Sequence, residues 1–326
     1  MLSPLKLTAG QAWVAWRRYP ALRRDLALPR PGPPILVTGM YRTGTTWVGA
    51  MLAAAGLWPL HEPFNPNRGL WPDELAYATG KDLRPEIDRL VAALVRGGHP
   101  EVVRLPHADR WFSPLRLLPR TPRRVLLKDP SAALLSEYLV RQHGMRALVI
   151  HRHPAAVVAS FVRLGWPTGK LVTRLLSAER LMDDWLGPFA APMEAAAGRR
   201  DWVSGAVLYA SVATVLLGLE RRNVEAMTRL SFEALCADPI GRFRELHARL
   251  DLPYHGGVAR AHERLTEAEG SRAGPHGVRR RSTAMADRWR SEVRESDVTA
   301  VREVWERFDL PLYRDAEDWR PRRERG

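Results

Sequence analysis

The 326-residue sequence holds a single cysteine, Cys236, which excludes an intrachain disulfide and a cysteine-built metal site. No stretch reaches the ~18 uninterrupted apolar residues of a membrane span. Acid is in short supply: Asp+Glu 36 against Lys+Arg 50 leaves a formal charge of +14. The excess is nearly all arginine, which suits bidentate binding of phosphate or sulfate, and it favours anionic partners in general. Hydrophobic residues at 45% and charged residues at 26% exclude a disordered, collagenous or coiled-coil chain. There is no internal repeat. No helix-turn-helix, zinc-finger or RNA-binding signature accompanies the charge, so nucleic acid is not an expected partner. The lone thiol fits a reducing, cytoplasmic setting.

Residues 1–34 read as a basic arm. Lys6, Arg17, Arg18, Arg23, Arg24 and Arg30 face one acid, Asp25, and no clean apolar run marks a secretion signal. Gln11 to Leu26 has the pattern of a basic amphipathic helix carrying Trp13 and Trp16; it is either a packing helix or a peripheral contact with a membrane surface. From residue 35 onward, short apolar runs alternate with helical patterns. Strands are expected at Ile35–Thr38, Trp58–His61, Arg124–Lys128, Arg146–His151 and Leu230–Leu235. Helices are expected at 46–55, at 131–143 with Ser131 as cap, at 154–164, near 174–187 and 203–226, and at 239–250 and 296–308. Residues 73–120 carry the weakest pattern, and 268–283 read as loop. This alternation predicts a single three-layer α/β/α domain over 35–326 with a central parallel sheet.

The sharpest segment is Thr38-Gly39-Met40-Tyr41-Arg42-Thr43-Gly44-Thr45-Thr46-Trp47. A buried strand runs through a Gly-bearing turn into a helix, which aims backbone N–H groups and the positive helix end at an anion. Its length matches the ATP loop GxxxxGK[ST], but Thr45 stands where that loop has lysine, which argues against a nucleoside triphosphate. A second strand ends at Ile150-His151-Arg152-His153-Pro154. Arg152 then lies at the ligand edge of an open parallel sheet, and Ser160 follows about two helical turns later.

Together these segments resemble the two phosphate motifs of sulfotransferases that use 3′-phosphoadenosine 5′-phosphosulfate (PAPS). In that resemblance Tyr41, Arg42, Thr43, Gly44, Thr45 and Thr46 form a P-loop-like phosphosulfate loop and Trp47 stacks on adenine. Arg152 and Ser160 bind the 3′-phosphate. Leu230-Ser231-Phe232-Glu233 is similar to the family's adenine-side segment, with Phe232 in place of the usual tyrosine. Arg279-Arg280-Arg281-Ser282, followed by Arg288-Trp289-Arg290, is similar to the basic C-terminal loop, which adds Arg280, Arg281 and Ser282 to the cofactor set.

Sulfuryl transfer then needs cations around the moving group and a base for the acceptor hydroxyl. Arg42 and Lys128 are the cations, and no metal is required. Lys128 is alternatively an internal ion-pair partner of Asp129 or Glu62. Glu62, after the second strand, is the first candidate base, with His107 and His61 as rivals. The resemblance implies a hydroxyl-bearing small molecule or glycan as acceptor, with a carbohydrate or glycosylated metabolite foremost. Trp58, Trp71, Trp111 and Trp166 are candidate stacking surfaces. Two other readings stay open at this level. One is a P-loop kinase using ATP–Mg²⁺, with Asp129 as the strand-end acid placed for magnesium. The other is a non-enzymatic basic protein that binds anions or membranes.

Overall fold

Ile35–Thr38, Val125–Lys128 and Arg146–His151 carry continuous runs of apolar residues rather than alternate ones, the mark of strands covered on both faces. In the computed structural model they form a five-stranded, wholly parallel sheet: β1 Ile35–Thr38, β2 Trp58–His61, β3 Val125–Lys128, β4 Arg146–His151 and β5 Met227–Ser231, in the order β2-β3-β1-β4-β5. The residues described are 32–66, 75–79, 88–89, 91–92, 95, 124–267 and 282–320. The N-terminal arm, Trp71, His107, Trp111, Arg280 and Arg281 lie outside them. Ser282 opens a helix, Ser282–Asp287, and its side chain also lies outside the description.

Alternate residues of each strand feed two separate cores. Leu36, Val125, Leu127, Ala147 and Val149 point to one face, where the helices Pro154–Arg163, Trp202–Arg222 and Glu295–Arg307 pack. Ile35, Val37, Leu126, Leu148 and Ile150 point to the other, where Val48, Met51 and Leu52 of the helix Thr45–Ala53 meet Phe243 and Leu246 of Pro239–Arg249. This is the three-layer arrangement expected from the alternation of strands and helices. The helix Trp202–Arg222 is long and apolar enough to span a bilayer by length, yet it lies mostly buried against the sheet.

Local capping explains where the sequence reading and the structure differ. The segment after β3 is capped by Asp129, whose carboxylate accepts from Ser131 N–H, rather than by Ser131; it begins as a 3-10 turn, Pro130–Leu135, before the helix Ser136–His143. The last strand ends earlier than expected, at Ser231, because Ser231 Oγ caps the helix Phe232–Ala237. The helix expected near 174–187 is broken into pieces: Thr168–Leu176, which starts after Pro167, is followed by an α-turn at Glu179–Leu181, a π-helical turn at Met182–Leu186 and a 3-10 turn at Gly187–Phe189. Helices at Ala190–Ala196 and Gly256–Glu267 had no sequence counterpart.

Candidate functional site

In a parallel sheet all strands deliver their C-terminal ends to one edge. Here β1 leads into the Gly39–Gly44 loop, β2 into Glu62, β3 into Lys128-Asp129 and β4 into Arg152.

The loop leaves β1 pressed against β4. Gly39 has φ +144, and a Cβ there would meet the Ile150 carbonyl oxygen at 2.4 Å. Arg42 adopts a positive φ of 72°, a conformation that side-chain-bearing residues take with strain. Thr43 Oγ1 donates to Met40 O at 2.7 Å and closes the turn. Gly44, φ +105, is the N-cap of Thr45–Ala53 and supplies no side-chain cap, so it leaves the first N–H groups of the helix without an acceptor from the cap. A Cβ on Gly44 would lie 2.4 Å from the Phe232 ring. Phe232, fully buried, thus wedges beneath the loop, and the Arg152 guanidinium covers the ring at 4.4 Å.

Two motifs far apart in sequence are joined at this point. Arg152 Nη1 donates to Arg42 O at 3.1 Å, and Nη2 donates to Met285 O at 2.9 Å. Arg42 Nε donates to Ser160 Oγ at 2.8 Å, so Ser160 partners the loop arginine rather than Arg152. Among the described residues no acceptor meets the buried Arg152 Nε. Burial lowers the Arg152 pKa against the opposing pull of Glu233, as befits a cation short of counter-charge. An anion is the chemistry that would complete it.

At the β2–β3 side, the Lys128 ammonium donates to Glu62 Oε1, and Asn65 Nδ2 donates to Oε2 at 3.0 Å. His61 Nε2 stands 3.6 Å from the same Oε1. Of the two partners open to Lys128, the structure selects Glu62. Burial disfavours the Glu62 charge, but Lys128, with help from His61 and Asn65, outweighs it and holds the pKa at about 2. Glu62 has φ 51, and its N–H donates to Lys128 O at 2.8 Å. Gly49 lies against the lysine stem: a Cβ there would meet Lys128 Cγ at 3.0 Å. Thr46, Gly49, His61 and Lys128 line a small cleft between the loop helix and β2.

Asp129 ties the two halves together. Its carboxylate accepts from Phe64 N at 2.6 Å and Ser131 N at 2.8 Å, and Ser131 Oγ meets Tyr41 OH at 2.7 Å. Complete burial pushes its pKa up to about 7. Both carboxylate oxygens accept backbone N–H bonds and the group is fully buried, which argues against it as a magnesium ligand for the kinase reading.

Trp47 does not stand open for stacking. It is 5% exposed and edge-on to Phe232 and Phe243. An apolar residue in the first turn of this helix points down onto the sheet, so the structure gives it a core environment instead of the adenine contact the resemblance implied. Trp58 is likewise core, and Trp166 packs on Phe161 and edge-on to Tyr41. Sequence reasoning missed Asn65, the bracing role of Asp129, and Tyr209. The Tyr209 hydroxyl accepts from Arg152 N at 3.1 Å and donates to Arg152 O at 2.8 Å. Asp129 before a proline was a readable capping signal; Tyr209, inside an apolar helix, carried none.

Beside Arg152 sits a second basic side chain, but an uncharged one. Burial, then Arg290 and Arg152, lower the His153 pKa to about 3. Between that value and an unfolded 6.5 the unfolded chain takes up a proton and the native state does not, so stability present above pH 6.5 falls on acidification. Asp129, raised to about 7 from 3.8, acts in the opposite sense: its native proton adds stability as the pH falls from 7 toward 4. Each contribution amounts to about 2 kcal/mol between pH 7 and pH 5. In the wild type they largely offset. Asp129→Asn removes one side, so its melting temperature should drop between pH 7 and 5 by roughly 3 °C more than that of the wild type. Parallel pH slopes in thermal melts of the two proteins would refute this assignment.

A sequence profile of the Sulfotransferase family matches residues 33–256, more than half of the chain and the whole of the sheet. The chain belongs to the sulfotransferase family, and it is an enzyme of the transferase class. Similar solved structures include the sulfotransferase domain from the curacin biosynthetic pathway, with 15% identity over 87% of this chain and 100% of that one and a TM-score of 0.46. The sulfotransferase domain of the Synechococcus PCC 7002 olefin synthase has 18% identity over 88% and 98%, with a TM-score of 0.45. Sulfotransferase STF1 from Mycobacterium tuberculosis H37Rv has 17% identity over 91% and 81%, with a TM-score of 0.42. Comparison with curated proteins finds no match.

Proposed function

We propose that this enzyme transfers a sulfuryl group from PAPS to an acceptor hydroxyl, with a carbohydrate or glycosylated metabolite as acceptor class and Glu62 as base. The observation that carries the donor reading is the junction of the two phosphate motifs. A buried arginine whose Nε meets no acceptor among the described residues is hydrogen-bonded to the backbone of a P-loop-like turn that lacks the ATP lysine. The residues present fit a nucleotide with phosphates at both ends: the Arg42–Thr46 turn for the 5′ side and Arg152 for the 3′ side. The bound donor supplies an electrophilic sulfur and a phosphate leaving group.

The chain's own work is then electrostatic. Arg42 and Lys128 place positive charge where negative charge develops. Glu62 accepts the acceptor's proton on a carboxylate oxygen. In the free protein the Lys128 ion pair makes Glu62 a weak base. An incoming anion that draws the ammonium away raises its basicity, so the base becomes effective when the donor is in place.

The test is a calorimetric titration with 3′-phosphoadenosine 5′-phosphate, the product nucleotide, beside ATP–Mg²⁺. Tight binding of the former and none of the latter is expected. Preference for ATP–Mg²⁺ would restore the kinase reading and remove this one.

A further inference from the structure

The peptide between Arg152 and His153 is clamped at both ends. Its carbonyl accepts from Tyr209 OH at 2.8 Å, and its N–H donates to Glu233 Oε1 at 2.8 Å. Glu233 is itself held: Oε2 accepts from Tyr313 OH at 2.9 Å and from Ser231 Oγ at 3.1 Å. Tyr313 belongs to a C-terminal segment that lies beyond the family match, which ends at 256. That segment encloses the imidazole of His153. Trp289 stacks on it with centroids 4.3 Å apart, and Trp319 and Tyr313 meet it edge-on at 4.7 and 4.9 Å.

The segment is tied down along its length. Trp305 Nε1 donates to Leu312 O at 2.8 Å, Trp319 Nε1 donates to Tyr313 O at 2.8 Å, and the Arg290 guanidinium holds the carbonyls of Glu317 and Arg320. His153 is neutral at ordinary pH, so it lends packing rather than charge. Positive charge at this corner comes from Arg152, and its direction depends on a peptide plane that the C-terminal segment fixes.

We propose that Tyr313 and Glu233, with the Trp289–Trp319 box around His153, are positioning residues that aim Arg152 and so set this enzyme's preference for a 3′-phosphorylated nucleotide. The inference rests on the PAPS reading above. A planar, forked guanidinium binds phosphate well in a narrow range of orientations, so freedom in its backbone reduces 3′-phosphate binding selectively. Contacts to the 5′ end are made by a turn on a different strand, which Arg152 touches only through Arg42 O, so they are weakened far less.

The experiment compares the full-length protein and Tyr313→Phe by calorimetry with two probes, 3′-phosphoadenosine 5′-phosphate and adenosine 5′-phosphate. The expected result is a weakening of about tenfold for the first, the scale of one hydrogen bond to a charged group, with the second weakened far less. Glu233→Gln keeps an acceptor for His153 N–H but loses the Tyr313 bond as it stands; it should shift the same ratio, and it carries the test should Tyr313→Phe fold poorly. Equal weakening of both probes, or of neither, overturns the inference and leaves a purely structural segment. Should the wild type itself show no preference between the probes, the donor reading fails first and takes this inference with it.

Discussion

Arg152→Ala should remove binding of 3′-phosphoadenosine 5′-phosphate almost entirely. Two charge-assisted hydrogen bonds to one phosphate are worth about 3–5 kcal/mol, roughly 10²- to 4 × 10³-fold in affinity. The substitution also strips donors from Arg42 O and Met285 O, which loosens the loop and the helix Ser282–Asp287. Arg152→Lys separates the two effects. It restores the charge but not the fork that spans two carbonyls, so it should recover part of the affinity and little of the selectivity over adenosine 5′-phosphate. Calorimetry of the three proteins decides it. Alanine binding at wild-type strength would show that the phosphate sits elsewhere.

Glu62→Gln should leave nucleotide binding close to wild type and slow release of the product nucleotide from PAPS by about 10²–10⁴-fold, the usual contribution of a positioned base. The glutamine keeps the shape of the carboxylate and an oxygen for Lys128. It avoids stranding a buried ammonium, which Glu62→Ala would do with a larger loss of stability. The pH profile adds a second readout. Glu62, at a pKa of about 2 in the free protein, is charged throughout the working range, so kcat/KM should show no acid limb between pH 4 and 6 from this group. A limb near the histidine range that persists in Glu62→Gln would transfer the role of base to His61 or His107. A glutamine variant with undiminished turnover would do the same.

The fold was legible because its signals are local. β1 and β4 are unbroken apolar runs, Pro154 opens a helix at its first turn, and Gly39 and Gly44 punctuate a strand–turn–helix. These follow from covalent geometry and from burial of a sheet on both faces, and neither needs a distant partner. The errors fell where a cap competes with a run. Ser231 looks like part of an apolar strand but ends it by accepting from Ala234 N–H. Asp129 looks like a strand terminator and a metal ligand, but its carboxylate is absorbed by Phe64 N–H and Ser131 N–H.

The candidate site divides along the same line. The sequence by itself determined which residue types stand at the strand ends: a glycine-bearing turn without the ATP lysine, an arginine after β4, an acid after β2 and a lysine at the end of β3. Only the tertiary structure decided how they pair. Lys128 chose Glu62 because β2 and β3 are neighbours in register, His61 opposite Lys128. Ser160 turned to Arg42 rather than to Arg152, and Trp47 went into the core beside Phe232 and Phe243. The buttress of Tyr313 and Glu233 on the Arg152 corner joins residues 80 apart in the chain. Motif spacing records where a strand ends. It carries no information about which side chain meets which across the sheet edge, because those contacts are set by strand order, helix packing and the burial of rings.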